Sequence, residues 1–245
     1  MEIQGSCDNK FLEVKEMFES LHSSGREVGS SFAMYKDGKA LIDIWGGYID
    51  KQKTNPWSRN SLATVWSTTK GVAALTCAIA VEKGLLDYEE KVSHYWPEFG
   101  CNGKEDITIG MLLSHQAGIC GSTTNNVHDY YNQQIMSEEL AAMSPIWKPG
   151  TASGYHSMTY GWLTSELIIR VTGKTLGTFY ADEIGNPNDI DFFIGLPESE
   201  ENRVVEMIPF PKEENRSQVS TEINDAKKAT AIGPNLINLQ NSRDW

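Results

Sequence analysis

The run Gly71–Val81, "GVAALTCAIAV", constrains this chain more than any other stretch. It is small, oily and uncharged, the composition of a helix buried on nearly all sides. Such a helix needs other elements packed around it. It opens with Ser67, two threonines and Lys70, and Gly84 suits a left-handed stop at its far end. Lysine is seldom fully buried unless it is paired or put to use. Two readings compete. One is a Ser/Thr helix cap with a lysine that snorkels to water. The other is a nucleophile and its base.

The surrounding sequence predicts what packs around that helix. Residues 10–22 read as an amphipathic helix with Phe11, Val14, Phe18 and Leu21 on one side. "SSFAMYKDGKALIDIWGGY" reads as two strands joined at Asp37-Gly38, a strong hairpin signal. Short helices follow in "DITIGMLLSHQAG", ending at Gly118, and in "SEELAAM", starting from Ser137. Pro145, Pro149 and Gly150 break the chain before a second long helix, "MTYGWLTSELIIRVTG", apolar at Leu163, Leu167, Ile168 and Val171. "TLGTFYADEIG" continues helically. A hairpin followed mostly by helices predicts an α+β domain over residues 1–210. Past residue 200 the composition turns charged and weakly patterned, so 211–245 is expected to be a loosely held polar tail.

Bulk properties narrow the function. Forty per cent hydrophobic residues and seven tryptophans belong to a globular chain. The net charge of −12 and the lack of a basic cluster give no electrostatic basis for binding nucleic acid or an anionic membrane. "MEIQGSCDNKFLEVKEMF" has no apolar core of a secretory signal, and no apolar run approaches a membrane span. Cys7, Cys77, Cys101 and Cys120 form no CxxC pair and no metal-like spacing with the histidines. The expectation is a soluble, cytoplasmic protein with free thiols and no metal or cofactor.

On a helix, Ser67 and Lys70 share one face with Cβ atoms about 5–6 Å apart. Free N–H groups and the positive dipole end at the helix start would favour an anion forming there. An apolar setting disfavours an ammonium, so Lys70 would give up its proton and serve as general base for acyl transfer. Ser-x-x-Lys is by itself a weak signal. Its place at the mouth of the most apolar helix strengthens it. A further proton carrier is needed, and two tyrosines compete. Tyr130-Tyr131-Asn132 contains a literal Tyr-x-Asn in a polar stretch, while Tyr155-His156-Ser157 follows the rigid "WKPGTASG" turn. Tyr155 is favoured. For His115 a structural role is expected, because a histidine ending a helix suits its dipole.

"WSTTKG", "ITIGMLLSHQAGI", "WKPGTASGYHSMTYGWLTSELIIRVTGKTLG" and "FFIGLPE" occur in this order across roughly residues 25–200. Together they resemble the serine β-lactamase-related superfamily, most of all class C β-lactamase-like proteins and family VIII carboxylesterases. The resemblance implies a β-lactamase/transpeptidase-like fold, with a helical lobe packed on an antiparallel sheet. It implies Ser67 as the acylated nucleophile, Lys70 as the activating base and Tyr155 as a proton shuttle shared with the lysine. Ser157 stands where the Tyr-x-Asn element has asparagine, and its hydroxyl retains one hydrogen bond for substrate.

The superfamily's third element, a Lys-Thr-Gly or His-x-Gly-like strand beside the site, is not found in these residues. Thr172-Gly173-Lys174-Thr175 has the letters in the wrong order. The expectation is therefore a chain resembling the N-terminal two-thirds of such an enzyme, with an incomplete sheet and an unpaired edge on the hairpin. A partner chain or a second copy would complete it. One lost oxyanion donor costs on the order of 10²–10³ in rate. Two functions follow: a serine hydrolase taking a small ester or lactam as substrate, with no nucleic acid or membrane partner, or a relative that binds, assembles or regulates without turnover.

Overall fold

Asp37 and Gly38 both take left-handed backbone, at φ 50° and 73°. Two such residues close a hairpin with the twist its strands already have. The strands they join belong to a computed structural model that describes residues 2–209. The described chain forms two units, one running to Thr64 and taking in the segment from Pro197 onward, the other spanning Val65–Leu196.

The first unit contains strand β1 (Gln4–Cys7), helix α1 (Leu12–Ser23) and the hairpin strands β2 (Gly29–Lys36) and β3 (Lys39–Gly47). The sheet is antiparallel in the order β1-β3-β2, with Cys7 and Met34 both opposite Ile42. The hairpin is as expected, but its β3 edge is covered by a strand that "QGSC" does not announce. Among the described residues no strand pairs with the outer side of β2. Ile42 and Ile44, two apart and so on one face, pack with Phe18 of α1. The expected stripe on α1 is corrected in part: Val14 is exposed, and His22 is buried beside Phe18. The stretch after Pro197 is held more firmly than its composition predicts. Leu62 N–H donates to Arg203 O (2.8 Å), Val205 N–H to Leu62 O (2.9 Å), and Glu206 N–H to Ile49 O (2.8 Å). These backbone bonds are indifferent to side-chain composition. The tail expected over 211–245 lies outside the described residues.

The second unit is helical: α2 (Thr68–Glu82), α3 (Val92–Tyr95), α4 (Ile109–Leu113), α5 (Gln133–Ala142), α6 (Thr159–Thr172) and α7 (Leu176–Tyr180). Its core joins Ala73, Cys77 and Ala80 of α2 to Leu163, Leu167 and Ile168 of α6, with Trp96, Phe99 and Leu112 around them. α2 ends where expected, with Gly84 at φ 69°. It is not buried on all sides, however: Gly71 is exposed and Leu75 is 49% exposed. α5 begins four residues earlier than Ser137, because Asn132 accepts the Ile135 N–H at 3.1 Å and caps it there. α4 stops at Leu113, and His115 takes left-handed backbone at φ 64°. No helix among the described residues is long and apolar enough to cross a membrane. All four cysteines are free.

Candidate active site

The start of α2 is a tight turn. Thr68, Thr69 and Lys70 N–H groups donate to the carbonyls of Val65, Trp66 and Ser67 at 3.0–3.1 Å. These are i→i−3 bonds of the kind that tighten helix ends. They correct the expectation of free N–H groups awaiting an anion, since three are already engaged. The Ser67 N–H has no backbone acceptor among the described residues. Trp66, just before it, is held at φ 50°, a conformation unfavourable for a bulky side chain. Strained backbone of this kind clusters at functional sites.

Ser67 occupies the N-cap position, yet its side chain makes no cap hydrogen bond. Its Oγ instead accepts from Lys70 Nζ at 3.1 Å. The simple capping reading therefore fails for this serine. Lys70 is half-buried rather than dry, because the first turn of α2 lies at the surface of its unit. Its Nζ is 5.0 Å from the centre of the Tyr155 ring.

Tyr155 reaches this pair from a loop clamped on residues 114–119. Trp147 Nε1 donates to Gln116 O (3.3 Å), Gly150 N–H to the same carbonyl (3.2 Å), and Ser153 Oγ–H to Ser114 O (3.2 Å). Gly154 N–H donates to His115 O at 3.0 Å. A Cβ at Gly154 would lie 2.3 Å from the Trp147 ring, so a side chain there requires the ring or the loop to shift. Tyr155 is 51% exposed, with its ring against His115 at 5.2 Å. Burial pushes its phenol up, but hydrogen bonding with Ser67 and Lys70 and the charge of Lys70 more than offset this. The net effect holds the phenol below the ordinary tyrosine value.

Ser67, Lys70 and Tyr155 therefore converge. Ser157 is half-buried two residues beyond Tyr155, its N–H donating to Tyr155 O at 3.0 Å. Tyr130 packs on Trp162 at 5.4 Å and Asn132 is spent on the α5 cap, so the literal Tyr-x-Asn has structural roles. His115 does not serve a helix dipole as a cation. Burial and then the Lys70 charge lower its pKa, and its Nδ1 accepts the His156 N–H at 3.1 Å. Among the described residues no group of three or more His, Cys, Asp or Glu is placed to hold a metal ion.

Residues 14–231 match the model of the beta-lactamase family. This chain belongs to that family. As a member, it is 37% identical over 206 residues to the "Esterase/beta-lactamase LipL" of Mycobacterium tuberculosis, covering 83% of this chain and 48% of LipL. The crystal structure of a family VIII carboxylesterase superposes with a TM-score of 0.87 at 38% identity, covering 100% of this chain and 65% of that one. A penicillin-binding protein homologue from Caulobacter crescentus gives 0.80 at 39% identity, covering 86% and 57%. The chain thus spans about half the length of LipL and under two-thirds of each of these two solved chains. It shares the β-lactamase/transpeptidase-like fold of a serine hydrolase family that holds esterases and β-lactamases.

Proposed function

We propose that the protein is a serine hydrolase that forms an acyl-enzyme on Ser67, with small esters as its favoured substrates and lactams as the nearest alternative. One observation carries this reading. The Ser67 hydroxyl, free of any capping bond, meets Lys70 Nζ at 3.1 Å beside Tyr155, whose phenol these two groups hold below its ordinary pKa.

The hydrogen bonding and the Lys70 charge around Tyr155 favour its phenolate, so its oxygen takes the serine proton as Oγ attacks the carbonyl carbon. Lys70 holds Oγ in line and favours the phenolate by its charge. The Ser67 N–H, which has no backbone acceptor among the described residues, donates to the oxyanion of the tetrahedral intermediate. Collapse breaks the bond to the leaving oxygen or nitrogen, which receives the proton from Tyr155. Water then attacks the acyl carbon, gives its proton to Tyr155, and Ser67 recovers it as the acid departs. Ser157 supplies a hydroxyl to the substrate.

Esters are favoured because two of its relatives are named an esterase/beta-lactamase and a carboxylesterase, and because Ser157 replaces an amide side chain. The test is turnover of p-nitrophenyl acetate and butyrate against a chromogenic cephalosporin. The reading predicts ester hydrolysis that Ser67→Ala abolishes, with slower lactam opening. Faster lactam opening would reverse the substrate order. A folded wild type inert to both substrates would overturn this reading in favour of a scaffold that binds without turnover.

A further inference from the structure

Two histidines stand behind Tyr155, and neither takes part in the proton path above. His156 is fully buried, and its ring bridges two loops. Its Nε2 accepts the Ile119 N–H at 3.2 Å, so its proton lies on Nδ1, which donates to Gly154 O at 2.7 Å. His156 N–H in turn donates to His115 Nδ1 at 3.1 Å, which puts the His115 proton on Nε2. The His115 carbonyl accepts the Gly154 N–H at 3.0 Å. His115 therefore grips the backbone on both sides of Tyr155, at residues 154 and 156. Its ring also packs on the rings of Tyr155 (5.2 Å), His156 (5.3 Å) and Tyr160 (4.9 Å). The left-handed backbone of His115, φ 64°, is a conformation that costs energy for a side chain of this size.

We propose that His115 is a positioning residue for the reaction: through the acceptor at Nδ1 and the face of its ring, it sets where the Tyr155 phenol meets Ser67 and Lys70. This rests on the hydrolase reading for its consequence in catalysis, but the geometry it asserts can be tested without turnover. The grip needs an unprotonated Nδ1, because a proton there would face the His156 N–H. Burial, and then the charge of Lys70, keep the imidazole neutral. The ionisable neighbours facing it are Lys70, Tyr155, Tyr160 and His156.

Asparagine separates positioning from mere filling of space. It tolerates left-handed backbone and carries an acceptor oxygen near the place of Nδ1. His115→Gly relaxes the backbone and removes both acceptor and ring. Two readouts apply to each variant. The first is the ionisation of Tyr155, read as the tyrosinate absorbance difference between each protein and the same protein carrying Tyr155→Phe. The second is the rate of Ser67 acylation by a p-nitrophenyl ester. The expectation is that His115→Gly raises the Tyr155 pKa toward the ordinary tyrosine value and slows acylation about 10²-fold, the cost of a misplaced reacting group. His115→Asn restores the ionisation and brings acylation within about tenfold of wild type.

Wild-type behaviour of His115→Gly in both readouts overturns the proposal. Equal impairment of the glycine and asparagine variants overturns it as well, because the acceptor would then not matter. Should His115→Gly fail to fold, His115→Leu takes its place, filling the ring's space without an acceptor. If the wild type is never acylated while the ionisation pattern holds, positioning by His115 stands and the hydrolase reading falls.

Discussion

Trp66 at φ 50° precedes the N-cap Ser67, whose oxygen makes no cap bond and accepts from Lys70 Nζ instead. Lys70 and Tyr155 then define what that oxygen can do. Tyr155→Phe keeps the ring and its packing on His115 but removes the proton acceptor. The expected loss is on the order of 10²–10⁴ in acylation rate, with an unchanged melting temperature. Pre-steady-state kinetics with an activated ester check it, and near-normal acylation would take Tyr155 out of the proton path. Lys70→Met deletes the charge while preserving the stem. Acylation is expected to fall at least about 10²-fold and the Tyr155 pKa to rise, since one of the influences holding it down is gone. Among the described residues the fully buried lysine is Lys104, whose Nζ donates to Cys101 O at 2.9 Å and to Met143 O. The rule that a dry lysine must be paired is satisfied there, by the carbonyls of Cys101 and of Met143, the latter just past α5. From the residue pattern the dry position was expected at Lys70. Sequence spacing identifies which helix face a residue occupies, but not how much protein covers that face.

At the level of elements, the loop 146–156 lies against residues 114–119 through bonds that are mostly backbone or aimed at backbone. For that reason the sequence discloses its anchor glycines and prolines but not its partner. The hairpin and the long helices were readable because Asp37-Gly38, Gly84 and Gly173 mark their ends by chain geometry alone. β1 was not readable, since the four residues of "QGSC" carry no period and gain their structure from pairing with β3. Nor was the positioning role of His115, which depends on a contact with Tyr155 forty positions away. Gly154→Ala should push the Trp147 ring or the loop aside. Acylation should drop about tenfold or more with little loss of far-ultraviolet helical signal, and unchanged kinetics would show that the loop has slack. His156 makes a separate prediction for stability. Burial lowers its pKa from 6.5 to about 4. Between those values the unfolded chain binds a proton that the folded chain refuses, so stability present above pH 6.5 is lost as pH falls toward 4. The loss is roughly 3 kcal/mol. Burial also draws down His22 and His115, in the same direction. Urea midpoints recorded across that pH range should fall steadily, and a flat profile would contradict the buried neutral imidazole.

For the whole molecule, family membership and the local chemistry come from different sources. The match over residues 14–231 establishes ancestry and fold. The convergence of Ser67, Lys70 and Tyr155 within one unit is what the proposed chemistry rests on. The chain spans 65% of the carboxylesterase it resembles, and the activity proposed for it rests on Ser67 being activated by Lys70 and Tyr155. One measurement addresses it directly: intact-mass analysis after exposure to a fluorophosphonate, on wild type and Ser67→Ala side by side. An arranged and activated Ser67 predicts a single phosphonyl adduct on wild type and none on the variant. A folded wild type that stays unmodified, or an adduct that persists in Ser67→Ala, would contradict it.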